Sequence, residues 1–217
     1  MSEFFVNTWK SSVANKAMLI GSGILLLAIV GLLVFVLINR LRGGAATGDE
    51  GFMVDKKGNS LHWSKEAAPV TAAFDPDFPE EYIMIYRMVA SEVNKFIGKE
   101  VLDPFGMVWE HPKAMETVKD LPFGHMYLTL ADPDVEHHGA SNEYRYDDAG
   151  ELKGCLIKVS PGLEGETLKT SMRHEVGGHG LGLDHDRLEH SVMFAIAGKR
   201  AKDFTDADKE RLKEVYG

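Results

Sequence analysis

The sequence predicts an α+β fold, in which one domain with a twisted mixed β-sheet is preceded by a single transmembrane helix. Three observations predict it. Residues 17–38 carry no charged side chain. Downstream, short segments with the period of a strand alternate with longer segments with the period of a helix. A segment rich in histidine and glycine then follows the predicted strands, shortly before a last helical segment.

The uncharged run spans 22 residues and is dominated by Leu, Ile, Val, Ala and Gly. As a helix it measures about 33 Å, enough to cross a bilayer core of roughly 30 Å. It is longer than the hydrophobic segment of a cleaved signal peptide, so a retained single-pass anchor over residues 17–39 is the favoured interpretation. Basic residues flank it on both sides, at Lys10, Lys16, Arg40 and Arg42. The positive-inside rule therefore does not fix its orientation, and we favour weakly a domain outside the cytoplasm.

The anchor divides the chain into four predicted segments. Residues 1–16 form a short amino-terminal tail, and residues 17–39 form the membrane helix. Residues 40–60, which are rich in Gly, Ala and Lys, are predicted to be a linker. Residues 61–217 are long enough for one domain with a sizeable core.

The charge of the domain limits its partners. The chain has 24 basic and 33 acidic residues, and four of the former and one of the latter precede residue 43. The remainder therefore has 20 basic and 32 acidic residues, a net charge of −12. Such a domain is repelled by nucleic acids and anionic headgroups, which excludes both as expected partners. The single cysteine, Cys155, allows no intrachain disulfide and is predicted to be a buried strand residue.

Periodicity and turn residues predict the elements of the domain in order. Pro79 opens a long helix that Gly98 ends. A hairpin is predicted around residues 147–150, a further helix begins near Glu166, and Thr205 caps the last helix. The predicted strands comprise Pro69–Phe74, Gly106–Trp109, His125–Leu130, Glu143–Tyr146 and Leu156–Val159.

The histidine-rich segment carries the chemistry. His174, His179 and His185 lie within twelve residues, and Glu175 follows the first of them. Neutral imidazoles bind zinc, and a carboxylate beside the metal can accept a proton from water. However, a gap of five residues places the first two rings about 140° apart on a regular helix. A π-bulge would bring them back into line, and Gly177-Gly178 is the predicted place for it.

The second half of the segment needs no such correction. Gly182 allows the helix to turn sharply, so that His185 returns to the metal from outside it. Met193 follows eight residues later. This arrangement resembles the metzincin zinc proteases, and within them the matrixin-type catalytic domain, whose pattern is H-E-x-x-H-x-x-G-x-x-H followed by a methionine-containing turn. The resemblance covers about residues 166 to 217 and departs in one extra residue, an H-E-x-x-G-H form that is known in peptidases of the dipeptidyl peptidase III type.

The resemblance implies a zinc endopeptidase with a metzincin-like fold, in which a long first helix, an active-site helix, a methionine turn and a carboxyl-terminal helix accompany the sheet. His174, His179 and His185 would bind Zn²⁺, and Glu175 would act as the general base. Met193 would lie beneath the metal without binding it. A protein or peptide substrate would bind extended along a strand edge.

Several alternatives remain open from the sequence. The extra residue is compatible with a degenerate metzincin fold that serves as a membrane-tethered binding or structural module. A zinc hydrolase acting on a non-peptide bond has the same ligands. Asp184 could replace His185 as third ligand, and His137-His138 could hold a second ion in their acidic loop. Tyr216 could stabilise an oxyanion, although packing of the last helical turn is the favoured interpretation.

Overall fold

The computed structural model describes residues 51–109, 118, 123–131, 140–187 and 189–217. These residues form a mixed α and β fold with one five-stranded sheet and three α-helices. The strands are β1 (Thr71–Phe74), β2 (Met107–Val108), β3 (His125–Leu130), β4 (Ala140–Tyr146) and β5 (Leu152–Val159). The helices are α1 (Glu80–Ile97), α2 (Gly165–Met172) and α3 (Asp206–Tyr216). The predicted mixture of helices and strands is confirmed.

The predicted membrane helix, residues 17–39, lies outside the described part of the chain, as do the tail and residues 40–50 of the linker. Within the part that is described, none of the helices has the length and apolar character needed to span a bilayer.

The sheet has the strand order β2-β1-β3-β5-β4. Four strands run parallel, and β4 alone runs antiparallel, along β5 at one edge. The β4–β5 pair is the predicted hairpin, and Asp147 closes its turn by accepting hydrogen bonds from the amides of Ala149 and Glu151. In the described sheet β4 pairs with a neighbour on one side only, and this strand also contacts the histidine-rich segment.

Helix α1 packs across the sheet with a stripe of apolar side chains at helical spacing. Tyr82, Tyr86, Val89 and Val93 are buried on this stripe and share one core with the inward side chains of the sheet. Pro79 precedes the helix, and Gly98 ends it in the left-handed conformation with φ of 91°. The predicted start and end of the long first helix are confirmed.

Residues 51–60, which belong to the predicted linker, lie against the domain. Phe52 is 2% exposed and forms a bridge with Leu183, and the Met53 amide donates to the Gly182 carbonyl at 2.8 Å. Burial of the apolar Phe52 side chain stabilises this contact, which a flexible tether would not form. The compact unit therefore begins before residue 61.

Candidate metal centre

Three histidine side chains meet at one point beside the edge of the sheet. One ring nitrogen from each of His174, His179 and His185 lies within 4.8 Å of the other two. The Nε2 atoms of His179 and His185 are 3.2 Å apart. The structure therefore brings together the three residues that the sequence singled out, in a cluster that could hold a metal ion.

A change of helical pitch produces this convergence. Helix α2 continues without a break into a π-helical segment, Arg173–Gly178, and then into a short 3₁₀ turn, His179–Leu181. The His179 amide donates to the carbonyl of His174, five residues earlier, as well as to that of Glu175. An i→i+5 bond brings residues five apart onto one face of the helix. The predicted π-bulge is thus confirmed, and it aligns the first two histidines.

Gly178 is the point at which the pitch changes, and close packing requires a glycine there. A Cβ atom at this position would collide with Met193 Sδ and lie 2.7 Å from Met193 Cε. Met193 itself is fully buried in a turn in which its amide donates to Ser191 Oγ at 2.9 Å. The buried methionine therefore packs directly against the bulge.

A left-handed turn returns the chain to the third histidine. Gly182 has φ of 97°, and its amide donates to the His179 carbonyl at 2.9 Å. A side chain there would also collide with the carbonyl oxygen of Leu61. His185 follows on an exposed loop, with its amide held by the Asp184 carboxylate at 2.7 Å. Asp184 is not part of the metal-binding cluster found among the described residues, which favours His185 as third ligand.

Hydrogen bonds to the backbone fix the tautomers of two rings. His174 Nδ1 lies 2.7 Å from the Val192 carbonyl, and His179 Nδ1 lies 2.8 Å from the Leu183 carbonyl. Since a carbonyl can only accept, each Nδ1 carries the proton, and each Nε2 keeps a lone pair. His174 Nε2 is buried and has no hydrogen-bond partner among the residues that the structure describes. A buried lone pair of this kind, aimed at two other imidazoles, fits a metal ligand.

Burial keeps these imidazoles neutral. Desolvation, with help from the neighbouring histidines, lowers the pKa of His174 to about 2, and desolvation lowers the pKa of His179 to about 4. The pKa of the more exposed His185 is lowered for the same reason. Because metal ions bind the neutral form of imidazole, protons would compete weakly with an ion for these ring nitrogens near neutral pH.

Glu175 lies beside the cluster, on the first turn of the π-segment. It is 3% exposed, and its Oε1 lies 3.8 Å from His174 Nε2. Its Oε2 accepts a 2.7 Å hydrogen bond from the Asn142 side-chain amide on β4. Burial raises the pKa of Glu175 to about 7, opposed by the charge of Arg200 and the bond from Asn142. A carboxyl with a pKa near neutrality is suited to accept and release a proton.

Helix α3 holds the turn beneath the cluster. The Asp208 carboxylate accepts hydrogen bonds from Ser191 Oγ at 2.7 Å and from the Val192 amide at 3.2 Å. It also completes the predicted capping box with Thr205. Since the Val192 carbonyl orients His174, Asp208 supports this histidine through one intermediate residue.

Tyr216, in the last turn of α3, has a structural role. Its hydroxyl donates to the Leu181 carbonyl at 2.8 Å and accepts from the Trp63 amide at 3.1 Å. Trp63 Nε1 donates to the Gly180 carbonyl at 2.8 Å. These bonds fasten the 3₁₀ turn after His179, and they agree with packing rather than with oxyanion stabilisation.

Three residues near the histidine cluster make contacts that have no local signal in the sequence. Asn142 occurs in an otherwise ordinary strand, Arg200 in a loop rich in small residues, and the second role of Asp208 is hidden behind its role as a cap. Each acquires its role from contacts between segments far apart in sequence, so spacing within one segment could not reveal them.

The remaining candidate residues lie elsewhere. His62, His125 and His190 belong to no metal-binding cluster among the described residues. Cys155 is fully buried in β5, as predicted. The pair His137-His138, together with His111, falls outside the residues that the structure describes.

Comparison with known proteins adds no assignment. No protein-family model matches the sequence, and a search of curated proteins gave no significant match. The function is therefore inferred from the geometry of the site.

Proposed function

We propose that this chain is a membrane-anchored, zinc-dependent endopeptidase of the metzincin type, related in layout to the matrixins. The observation that carries the proposal is the convergence of the three imidazoles, two of them with Nε2 left free for a metal, beside the buried carboxylate of Glu175. The order of the elements supports it: a long helix, a sheet with one antiparallel edge strand, the histidine helix, a methionine turn and a closing helix.

The donor set fits zinc. Zinc binds imidazole nitrogen at about 2.0–2.1 Å in tetrahedral geometry, which places two ligand nitrogens about 3.3 Å apart. The separation of 3.2 Å between His179 Nε2 and His185 Nε2 agrees with that spacing. Three protein ligands would leave a fourth position open, as catalytic zinc sites require.

The proposed reaction is hydrolysis of a peptide bond. Zinc in such a site supplies Lewis acidity towards water and the peptide carbonyl. Glu175 accepts a proton at Oε1 from the water whose oxygen bonds to the carbonyl carbon. As the bond from carbon to nitrogen breaks, Glu175 returns this proton to the leaving amine. Its pKa of about 7 suits both steps.

Asn142 has a positioning role in this scheme. Its amide occupies Oε2 of Glu175, so that Oε1 is the oxygen turned towards the histidine cluster. Asn142 lies on β4, the antiparallel edge strand of the sheet. We propose that an extended peptide lies along this edge through main-chain hydrogen bonds, which brings its backbone past Glu175.

We further propose that residues 17–39 anchor the enzyme in a membrane, with the domain on the side away from the cytoplasm. The uncharged run of 22 residues supports the anchor. This places the substrate, a protein or peptide, at a membrane surface.

The test uses the full-length chain in mild detergent. Zinc content is measured together with cleavage of an unstructured protein substrate, before and after treatment with a chelator. Glu175→Gln should retain one zinc per chain and lose cleavage by at least about 100-fold, because the amide cannot accept the proton. His174→Ala should lose both zinc and cleavage.

The control is Glu189→Gln, which removes an exposed carboxylate that pairs with Lys199 and is not one of the clustered residues; it should leave zinc and cleavage unchanged. Full cleavage by Glu175→Gln would remove the mechanism. A zinc-loaded wild-type chain without hydrolytic activity would favour the binding or structural module instead.

A further inference from the structure

Arg200 is a half-buried cation that has no ionic partner in the part of the chain that the structure describes. Its Nε donates to the Phe194 carbonyl at 2.8 Å, and its Nη2 lies 3.4 Å from the Ala195 carbonyl. Within the described residues it forms no salt bridge, and its Nη1 has no hydrogen-bond partner. By contrast, its neighbour Lys199 is exposed and pairs with Glu189 at 2.8 Å. Desolvation lowers the pKa of Arg200, opposed only by the charge of Glu175.

The two carbonyls that hold this guanidinium belong to the turn that packs against the histidine segment. Phe194 directly follows Met193, whose side chain abuts Gly178. The Met193 carbonyl accepts from the amide of Asp186, the residue after His185, at 2.9 Å. In agreement with this position, the positive charge of Arg200 lowers the pKa of all three histidines and of Glu175.

Arg200 retains N–H groups that donate no hydrogen bond to the described residues, and a guanidinium of this kind is complementary to a carboxylate. Its planar fork matches the two oxygens of a carboxylate, and partial removal from water strengthens the pair. Glu175 does not fill this role, since no salt bridge joins it to Arg200 and its Oε2 is bonded to Asn142. With a divalent cation at the histidines, the surroundings become more positive still. No carboxylate among the described residues pairs with Arg200, so its guanidinium can receive an anionic group of a bound molecule.

We infer that Arg200 binds a carboxylate of the substrate, so that the site selects peptides with a carboxylate close to the bond that is cut. The inference rests on the proposed function and names its substrate class. The carboxylate has two possible sources, namely the side chain of an aspartate or glutamate and the free carboxyl terminus of the peptide.

The first experiment measures cleavage by the full-length, zinc-loaded chain. One set of peptides compares glutamate with glutamine at each position around the cleaved bond, and a second compares a free with an amidated carboxyl terminus. The carboxylate form at one position should be cleaved about 10–100-fold better, as expected for a hydrogen bond to a charged group. The set that shows the difference identifies the source.

Arg200→Gln should abolish this preference by weakening cleavage of the acidic peptide alone, mainly through KM. Arg200→Glu should reverse it in favour of a lysine peptide. Lys199→Gln, which removes a charge from the same loop, should preserve it. Should Arg200→Gln fail to fold, Arg200→Lys retains the charge without the fork and should show a smaller loss. If Arg200→Gln slows the cleavage of acidic and neutral peptides equally, the inference is overturned, since Arg200 would then have a general role in the reaction.

The second experiment separates this inference from the proposed function. Binding of the same peptide pairs to the zinc-loaded Glu175→Gln chain is measured by titration calorimetry, which requires no cleavage. Tighter binding of the carboxylate form, lost in the Arg200→Gln double variant, supports the inference even if the wild-type chain proves inactive. Equal affinity for both forms refutes it even if the chain is an active peptidase.

Discussion

Helix α1 and the histidine helix pack in one core, yet they follow different local rules. Helix α1 keeps regular spacing from Glu80 to Ile97 and ends at a left-handed glycine. The histidine helix changes from α to π to 3₁₀ pitch within Gly165–Leu181 before it ends at Gly182 in the same way. The contrast teaches that the scaffold uses regular periodicity, whereas the site depends on a local departure from it.

Removing the π-bulge should have the largest effect, which is a loss of zinc affinity. Deletion of Gly178 gives the histidine helix the regular four-residue spacing, but it also removes the residue that accommodates Met193. We expect zinc affinity to fall by about 100-fold or more, because the turn that orients the ligands is lost. Zinc titration checks this, and circular dichroism confirms that the variant is folded. Unchanged or tighter zinc binding would show that the bulge is a relic.

Asp208→Asn should have the next largest effect, which is a loss in the free energy of unfolding. The carboxylate is fully buried and accepts hydrogen bonds from Ser191, Val192 and Thr205. An amide group turns one acceptor into a donor facing other donors, which costs about 1–3 kcal/mol in the free energy of unfolding. Denaturant unfolding measures that cost, and a concomitant loss of zinc affinity would show that the effect reaches His174. Asp206→Asn, on the exposed first turn of the same helix, serves as the control.

Asn142→Ala should slow the proposed reaction without reducing the zinc content. Its amide holds Glu175 Oε2, so its loss should lower kcat by about tenfold, a cost of about 1.4 kcal/mol, which is typical of one hydrogen bond. Zinc content and KM should stay near those of the wild type. Asn142→Asp should lower kcat further, because it places a second carboxylate against that of Glu175. A parallel loss of zinc would instead give Asn142 a purely structural role.

Gly98→Ala tests helix α1, the regular helix of the two, and should have the smallest effect. Gly98 has φ of 91°, and no atom lies within 4 Å of the position of a Cβ. The cost is therefore conformational alone, about 1 kcal/mol in the free energy of unfolding. Thermal unfolding measures it. Zinc affinity should not change, and a change would show that the two helices are more tightly coupled than their packing suggests.

Much of the fold could be predicted locally. Pro79, Gly98, the apolar stripe between them and the Thr205 capping box act over a few residues, so the sequence indicates them directly. The π-bulge could be predicted because two functional histidines five residues apart admit few other solutions. Residues 51–60 could not be placed in this way, because composition does not show that Phe52 has a partner at Leu183.

By itself, therefore, the sequence determined the helix ends, the strands and the three histidines, since each depends on residues that are close along the chain. Only the tertiary structure decided which glycine must lack a side chain against Met193, which amide holds Glu175, and which cation lies beside the metal centre. These depend on segments that meet across the core, and no local pattern encodes the partner of a long-range contact.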